Sequence, residues 1–404
     1  MAPFGGYEMP LWYSSAKDEH LCVLTNAGLF DTSHMAAITI EGADASSLLQ
    51  KCFSKDLKQC VGPLKKPLTS GLCTYGVFLN EAGHVIDDAI LYKFEEKRYL
   101  CVVNAGMGEK ISRHLQTHAT SLSVQIRDLT DQVGKMDLQG PKSGKILQKA
   151  LRNPDTVFEG MRYFSFKGTW DGTGVPSGQE VTLQDGTSIL LSRSGYTGEF
   201  GFEIFCEPER TESVWNLLLE IGKEEGVIPC GLAARDSLRA GAVLPLSHQD
   251  IGGWPFLRNP WIFALPYNKN QTGFTKDFVG GESLLAIHDA DYTLPFIGKD
   301  PRKVSVSENT RVLDPTDTPI GNVLTCVTDM GIGKTGEKIY SVASPDKPKD
   351  FVPKGLSCGF VKVTKALKEG DTIKLSDGRR RIPVTITYDI RPDRTARVPI
   401  RSML

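Results

Sequence analysis

Apolar and polar residues alternate over Ala37-Ile-Thr-Ile-Glu41, the period of a half-buried strand, and Gly42-Ala-Asp-Ala then opens a helical run through Leu48, Leu49 and Cys52. Three apolar, β-branched runs follow at Gly71–Leu79, Val85–Tyr92 and Tyr99–Val103. The turn residues Asn80-Glu-Ala-Gly83 separate the first two, so the three predict a strand-turn-strand-strand unit. Helices are predicted over Ala105–His118 and over Lys142–Leu151, the second with Pro141 at its first turn, where a missing N–H costs nothing. A glycine-rich stretch from Gly168 to Gly178 precedes strands at Ser188–Ser192 and Gly201–Cys206, and helices follow at Arg210–Glu225 and Gly231–Ala240. From Gly252 to Gly281 the character changes to a proline-rich connector carrying Trp254, Phe256, Trp261, Phe263 and Phe274, too apolar for a free linker. Beyond about Leu294 short strands alternate with turns: Lys303–Ser307, Val312–Leu313, Pro319–Val327, Leu356–Lys362, Thr372–Lys374 and Pro383–Tyr388. That rhythm predicts a C-terminal β-barrel behind a mixed α/β body.

Charge and composition narrow the function classes. The 404 residues carry 47 basic and 48 acidic side chains, a balance that argues against nucleic-acid or anionic-membrane binding through a global field. An apolar content of 40% is enough for a large core, so disorder is not the dominant state. No run approaches the roughly 18 apolar residues of a membrane span, and Met1-Ala-Pro-Phe-Gly-Gly has no basic or apolar leader pattern, so a cytoplasmic protein with no membrane partner is expected. Nine cysteines stand apart, without a CxxC pair, and are expected to be reduced and structural.

Two motifs look stronger than they are. Gly331-Ile-Gly-Lys-Thr335 lacks the earlier glycine of a phosphate-binding loop, since residue 328 is Thr, and reads as a surface turn. His114 and His118 stand i, i+4 on a helix, but zinc needs a third ligand and no Glu follows His114, so a solvated face and no metal are expected. Three other segments carry chemistry. Asp87-Asp88 interrupts an apolar strand, and because neighbours alternate faces, one carboxylate must point inward. Ser194-Gly-Tyr-Thr-Gly-Glu-Phe-Gly-Phe-Glu203 joins a glycine-rich turn to an isolated Glu, with glycines that permit close approach of a ligand or simply make a hairpin. Arg235 and Arg239, i, i+4 on one helix, can clamp a ligand carboxylate or pin an acidic side chain, the alternative being a surface salt-bridge helix.

Together these segments resemble the glycine-cleavage T-protein family, the tetrahydrofolate-dependent aminomethyltransferases. The matching stretches run in order: Pro3-Phe-Gly-Gly-Tyr-Glu-Met-Pro10, Ala27-Gly-Leu-Phe-Asp-Thr-Ser-His-Met35, Asn80–Tyr92, Gly195–Ile204, Ala233-Ala-Arg-Asp-Ser-Leu-Arg239 and Asp277-Phe-Val-Gly-Gly-Glu-Ser-Leu-Leu285. The resemblance implies an α+β fold, a three-domain cloverleaf around a central folate channel with a β-barrel at the C-terminus. It places residues 1–46 and 131–249 in a first domain, 47–130 and 250–292 in a discontinuous second, and 293–404 in the barrel. It implies a one-carbon transferase that moves a group from a donor to N5 of tetrahydrofolate without a metal. Asp88 becomes the catalytic carboxylate, Glu203 the anchor of the pterin edge, and Tyr75, Tyr92, Asn104, Tyr196 and Arg235 the other folate-site positions. The partner is a lipoyl carrier protein bearing an aminomethyl group, or a small methylated donor.

The chain departs from that pattern beside the expected channel. Where the family continues Arg-Asp-x-Leu-Arg with Leu-Glu-Ala-Gly and a Leu-Tyr-Gly, this chain reads Ala240-Gly-Ala-Val-Leu-Pro-Leu-Ser-His-Gln-Asp250, so that Glu and Tyr become Gly241 and Ser247. Ile251–Trp261 likewise replaces a threonine- and proline-containing loop with its Glu. Relatives that demethylate small molecules vary this region, so His248, Trp254 and Trp261 are expected to shape a donor pocket, the aromatics as a cage for a cationic donor or His248 as a proton donor to a departing phenolate; packing as interdomain core is the other outcome. Relatives acting as folate-binding iron–sulfur assembly factors carry a Lys-Gly-Cys-Tyr-x-Gly-Gln-Glu stretch, and Cys230-Gly-Leu-Ala-Ala-Arg235 stands in its place here.

Overall fold

The computed structural model describes residues 1–171 and 180–404, so the glycine-rich stretch expected up to Gly178 lies largely outside the described residues. Three β assemblies organise the chain. A six-stranded sheet runs in the order Phe166–Gly168, Leu190–Ser192, Gly201–Cys206, Gly134–Gln139, Ala27–Asp31 and Val227–Pro229. Its two central strands are buried along their whole length, which puts Glu203 opposite Asp137 inside the protein. The helices Ser143–Ala150 and Thr211–Ile221 close its core through Ile146, Leu147 and Leu218 against Met136, Phe202 and Ile204.

The second sheet is antiparallel: Leu72–Leu79, Val85–Glu95, Arg98–Val103, Ala36–Glu41 and Gln125–Asp128. Ala45–Cys52 and Gly108–His118 are its helices, with Leu48, Leu49, Ile111 and Leu115 packed on Ile38, Leu91 and Cys101. Ala36–Glu41 was expected with the first segment, yet it pairs here, Ile38 opposite Cys101. The four residues between Asp31 and Ala36 carry the chain from one sheet to the other, so the crossing comes earlier than residue 46.

The C-terminal strands close a barrel of Tyr292–Gly298, Leu356–Val363, Pro319–Asp329, Arg311–Leu313, Thr372–Ser376 and Arg381–Ile386 around Phe296, Val312, Val361, Leu375 and Val384. Lys303–Ser307, expected as a strand, is irregular, because only Val304 turns inward and its neighbours stay exposed. Gly331–Thr335 is more than a surface turn: Ile332–Thr335 pairs with Lys338–Ser341, and the turn is at Gly336, with φ 60°. The aromatic connector is core. Phe256, Trp261, Leu265 and Phe278 join Val77 and Leu79 of the second sheet to Cys358 and Phe360 of the barrel.

Ion pairs bind the assemblies together at their junction. Arg391, past the last barrel strand, gives Nε to Glu199 at 3.0 Å and Nη1 to the barrel's Asp329 at 2.6 Å. The other Asp329 oxygen meets His20 Nε2 of the helix Ala16–Thr25 at 2.9 Å, and all four side chains are buried. This explains one departure from the family pattern, since a Cβ at Gly241 would overlap the Asp329 carboxylate. Among the described residues no helix is long and apolar enough to cross a membrane, and all nine cysteines are free thiols.

Removing Arg391 leaves two buried carboxylates without their cation. Arg391→Leu is expected to lower the free energy of unfolding by about 3–5 kcal/mol, read as a fall in the urea midpoint. Burial would raise the Asp329 carboxyl, but Arg391 and His20 outweigh it and hold it far below the carboxylate range. A depressed folded pKa stabilises above the unfolded value and is lost on acidification, so this contribution is present at neutral pH and disappears as pH falls below the ordinary carboxylate range.

Candidate functional site

The strand Arg98–Val103 ends opposite Ala89, so Asp87 and Asp88 run on past its last residue and Asn104 folds back over them. Asn104 Nδ2 donates to Asp87 Oδ1 at 2.8 Å and to Asp88 Oδ1 at 2.7 Å, and its backbone N–H donates to Asp87 Oδ2 at 2.9 Å. Asp87 also accepts from Ser247 Oγ at 2.7 Å and is fully buried, whereas Asp88 is partly exposed and accepts from the Tyr75 hydroxyl at 2.8 Å. Burial first, and then the Asp88 charge, pushes the Asp87 carboxyl up to about 7; burial raises Asp88 as well. Two carboxyl groups this close resist ionising together, so the pair keeps a proton well above the usual range.

Ser247 and His248 lie on a turn that a second ion pair holds in place. Arg239, buried on the helix Leu232–Gly241, donates to Asp250; Thr325 of the barrel donates to the other Asp250 oxygen at 2.6 Å, and the Leu246 N–H reaches Asp250 at 2.9 Å. His248 Nε2 stands 3.5 Å from Asp87 Oδ1 with its side chain 55% exposed, and partial burial lowers its pKa. The turn begins at Val243, whose φ of 58° strains a β-branched residue, at the position where the family pattern carries Gly. A cavity of about 410 Å³ beside this turn, lined by Asp236, Gln249, Lys303 and Arg380, contains none of the predicted site residues.

A second cluster lies on the central pair of the six-stranded sheet. Glu203 accepts from Tyr92 at 2.8 Å, from Ser194 Oγ at 2.7 Å and from Lys135 Nζ at 3.2 Å. Lys135 also donates to Asp137 at 2.6 Å, and Arg235 donates to the other Asp137 oxygen at 2.8 Å. Burial opposes the Asp137 charge, but Lys135 and Arg235 prevail and bring its carboxyl down to about 2. The Arg235 guanidinium covers the Tyr196 ring at 4.8 Å, and the Tyr196 hydroxyl donates to the carbonyl of Pro245. Burial raises Tyr196, with the Asp88 charge among the further causes, and burial and Asp88 raise Tyr75, to which Tyr196 adds a smaller part. The two clusters therefore meet at Tyr196.

Residues 1–254 match the family described as the GCVT N-terminal domain. The chain belongs to this family. The aminomethyltransferase of Geobacillus sp. (strain WCH70) is 40% identical over 248 residues, 61% of this chain and 62% of the relative. That of Staphylococcus carnosus (strain TM300) is 35% identical over 305 residues, 74% and 77% of the two chains. The chain thus matches less than two thirds of the length of the Geobacillus relative. A crystal structure of the glycine cleavage system aminomethyltransferase T from Bartonella henselae superimposes with a TM-score of 0.73 at 24% identity, covering 98% of this chain and 94% of that one, so this GCVT-family chain has the same fold.

Asp88, Tyr75 and Asn104 form one cluster with His248 at its edge, and Glu203, Tyr92, Arg235 and Tyr196 form the other. Tyr92 is fully enclosed by Phe166 and Phe205 and reaches the site only through its hydroxyl. Trp261 does not line a donor pocket: 2% exposed, it donates Nε1 to the carbonyl of Val243 and packs edge-on to Phe360. Trp254 presents its ring to Lys362 Nζ at 4.5 Å, so a protein cation already holds that face. Close approach at Gly195 and Gly201 is to Gln139 rather than a ligand, since a Cβ at either would overlap that amide. The Arg235–Arg239 helix is no surface salt-bridge helix, because each arginine pins a fully buried carboxylate. Lys135, Asp137, Ser194 and Asp250 were not singled out from the sequence; the signal for the first two was a pair of charges in the strand Gly134–Gln139.

The proton shared by the pair has a measurable consequence. A raised folded pKa stabilises below the unfolded value and is lost as pH rises through the folded one, here from 3.8 to about 7. Asp87→Asn is expected to flatten this fall in urea unfolding across that interval. It should also remove a carboxylic-acid carbonyl band from the infrared spectrum near neutral pH; a band unchanged in the variant contradicts the assignment.

Proposed function

We propose that this chain is a tetrahydrofolate-dependent one-carbon transferase resembling aminomethyltransferase. The observation that carries the reading is Asp88: a partly exposed carboxyl with a raised pKa, braced by Tyr75 and Asn104, in a chain of the GCVT family. The donor set fits a folate. Glu203 is a carboxylate whose Oε2 accepts from Tyr92 and Ser194 and whose Oε1 accepts from Lys135, leaving one lone pair on Oε1 for a pterin N–H; a second, parallel N–H would take the place of the Ser194 hydroxyl. Partly exposed Tyr75 and Tyr196 offer faces to flat rings. Tetrahydrofolate, when bound, supplies the N5 nucleophile.

The chain's own residues then position and move protons. Glu203 orients the pterin; Arg235, committed to Asp137, holds the Tyr196 ring in place as a positioning residue. Asp88 shares with Asp87 the proton that the pair keeps, and stabilises developing positive charge when ionised. The one-carbon donor in this reading is the aminomethyl group of a lipoyl carrier protein. A second reading, demethylation of a small methylated compound, rests on His248, which is half-exposed and 3.5 Å from Asp87; because burial lowers its pKa, it would act on a departing phenolate by relaying a proton from the Asp87–Asp88 pair rather than as a standing imidazolium. A cage for a cationic donor loses support, because Trp261 is enclosed and Trp254 is covered by Lys362.

Incubation with tetrahydrofolate and a donor panel tests these readings. Methylene-tetrahydrofolate with ammonia release from an aminomethylated carrier is the expected result. Methyl-tetrahydrofolate from a methoxyarene moves the assignment to the demethylase, and tight folate binding without product moves it to a binding or assembly role. Asp88→Asn is expected to lower turnover by about 10²–10⁴-fold with folate still bound. Glu203→Gln should act mainly on the folate KM. His248→Ala with unchanged turnover removes His248 from the mechanism.

A further inference from the structure

The helix Ala45–Cys52 ends at Cys52, and the helix Gly108–His118 ends at His118, with His114 one turn earlier. The thiol of Cys52 and one ring nitrogen each from His114 and His118 all lie within 4.8 Å of one another. The two imidazoles meet edge to face at 5.0 Å, and His114 also stands edge-on to Phe78 at 6.1 Å. Nε2 of His114 is buried with no hydrogen-bond partner, a cost that native structures seldom leave uncompensated. The third ligand that the His-Leu-Gln-Thr-His segment lacks in sequence is thus supplied by a helix some sixty residues upstream.

We propose that Cys52, His114 and His118 form a three-ligand site for a thiophilic divalent ion of the zinc type. One thiolate and two imidazoles match the preference of Zn²⁺ for sulfur and nitrogen in a tetrahedral set, and they disfavour Mg²⁺ or Ca²⁺, which take oxygen. Ligands about 2.0–2.3 Å from zinc stand roughly 3.5 Å from each other, so small side-chain rotations close the present spacing. Two features make the place suitable for a cation. The helix Gly108–His118 directs its negative C-terminal end at it, while that of Ala45–Cys52 is already met by Lys276, whose Nζ donates to the carbonyls of Gln50 and Phe53. Both histidines have their pKa lowered by burial, His114 to about 4, so each offers a lone pair at neutral pH. Burial pushes the Cys52 thiol up to about 12, so binding must displace its proton to solvent and is weaker for it at low pH. The fourth position is open to water or to the exposed Glu81, whose carboxylate is 3.9 Å from His118 Nε2. Lys51 and Lys276 also face the thiol; they favour its anion and, being cations, partly oppose the ion it would hold. Such a site would clasp the two helices of the second sheet and is independent of the folate site.

Titration of chelator-treated protein with Co²⁺ tests this directly. The expected result is a sulfur-to-cobalt charge-transfer band saturating at one equivalent, displaced by Zn²⁺, and lost in Cys52→Ser. His118→Asn, at the C-terminal end of its helix, should fold as the parent does and weaken zinc binding by tenfold or more. Zinc should raise the melting temperature of the parent and not of either variant. Absence of the band, its persistence in Cys52→Ser, or zinc affinity unchanged in His118→Asn overturns the site.

Discussion

At the junction of the barrel and the first sheet, charges are buried beside their opposites, and that pairing ties the two assemblies together. Asp329 lies deep between the barrel and the first sheet, neutralised from one side by Arg391 and from the other by His20. The same rule acts one layer nearer the chemistry. Arg239 is enclosed because Asp250 meets it, and Asp250 holds the turn that brings Ser247 and His248 to Asp87. Exchanging either arginine for an apolar residue does more than remove a contact, since it strands a carboxylate where water cannot reach.

Against that background Asp87 and Asp88 stand out, because among the described residues no lysine or arginine pairs with them. They are held by neutral donors only, the amide of Asn104 and the hydroxyls of Tyr75 and Ser247. The pair relieves its repulsion by keeping a proton, and a site that must exchange one near neutrality needs such a carboxyl. Asp137, equally buried, has Lys135 and Arg235 and stays ionised. The two carboxylate environments thus differ: Asp137 is held ionised by its cations, whereas the Asp87–Asp88 pair keeps a proton.

The departures from the family pattern also have local physical causes. Gly241 is required by the Asp329–Arg391 pair, and Ser247 caps Asp87. Trp261 and the rest of the connector fill the seam between second sheet and barrel, where large apolar side chains stabilise by burial. The altered loop is therefore in part a change of interdomain packing, with His248 as the exposed group left facing the carboxylates.

Strand and helix periods, the barrel at the C-terminal end and the unusual Asp87-Asp88 pair were legible in the residue order, because apolar periodicity and a charge inside a strand are local signals. So was the family resemblance, carried by six short motifs in the right order. What the order could not decide was which partner each polar group finds. The glycines of residues 195–201 left open a ligand's approach or a plain hairpin, and Gln139 fills the space beside Gly195 and Gly201; Arg235 and Arg239 left open a ligand clamp, a pinned acid or a surface helix, and each pins a buried Asp. His114 and His118 lacked a third ligand until the fold brought Cys52 beside them. Periodicity is a property of neighbours along the chain, whereas charge compensation and ligand sets join residues tens to hundreds of positions apart. Only the packed tertiary structure brings those residues within hydrogen-bonding distance.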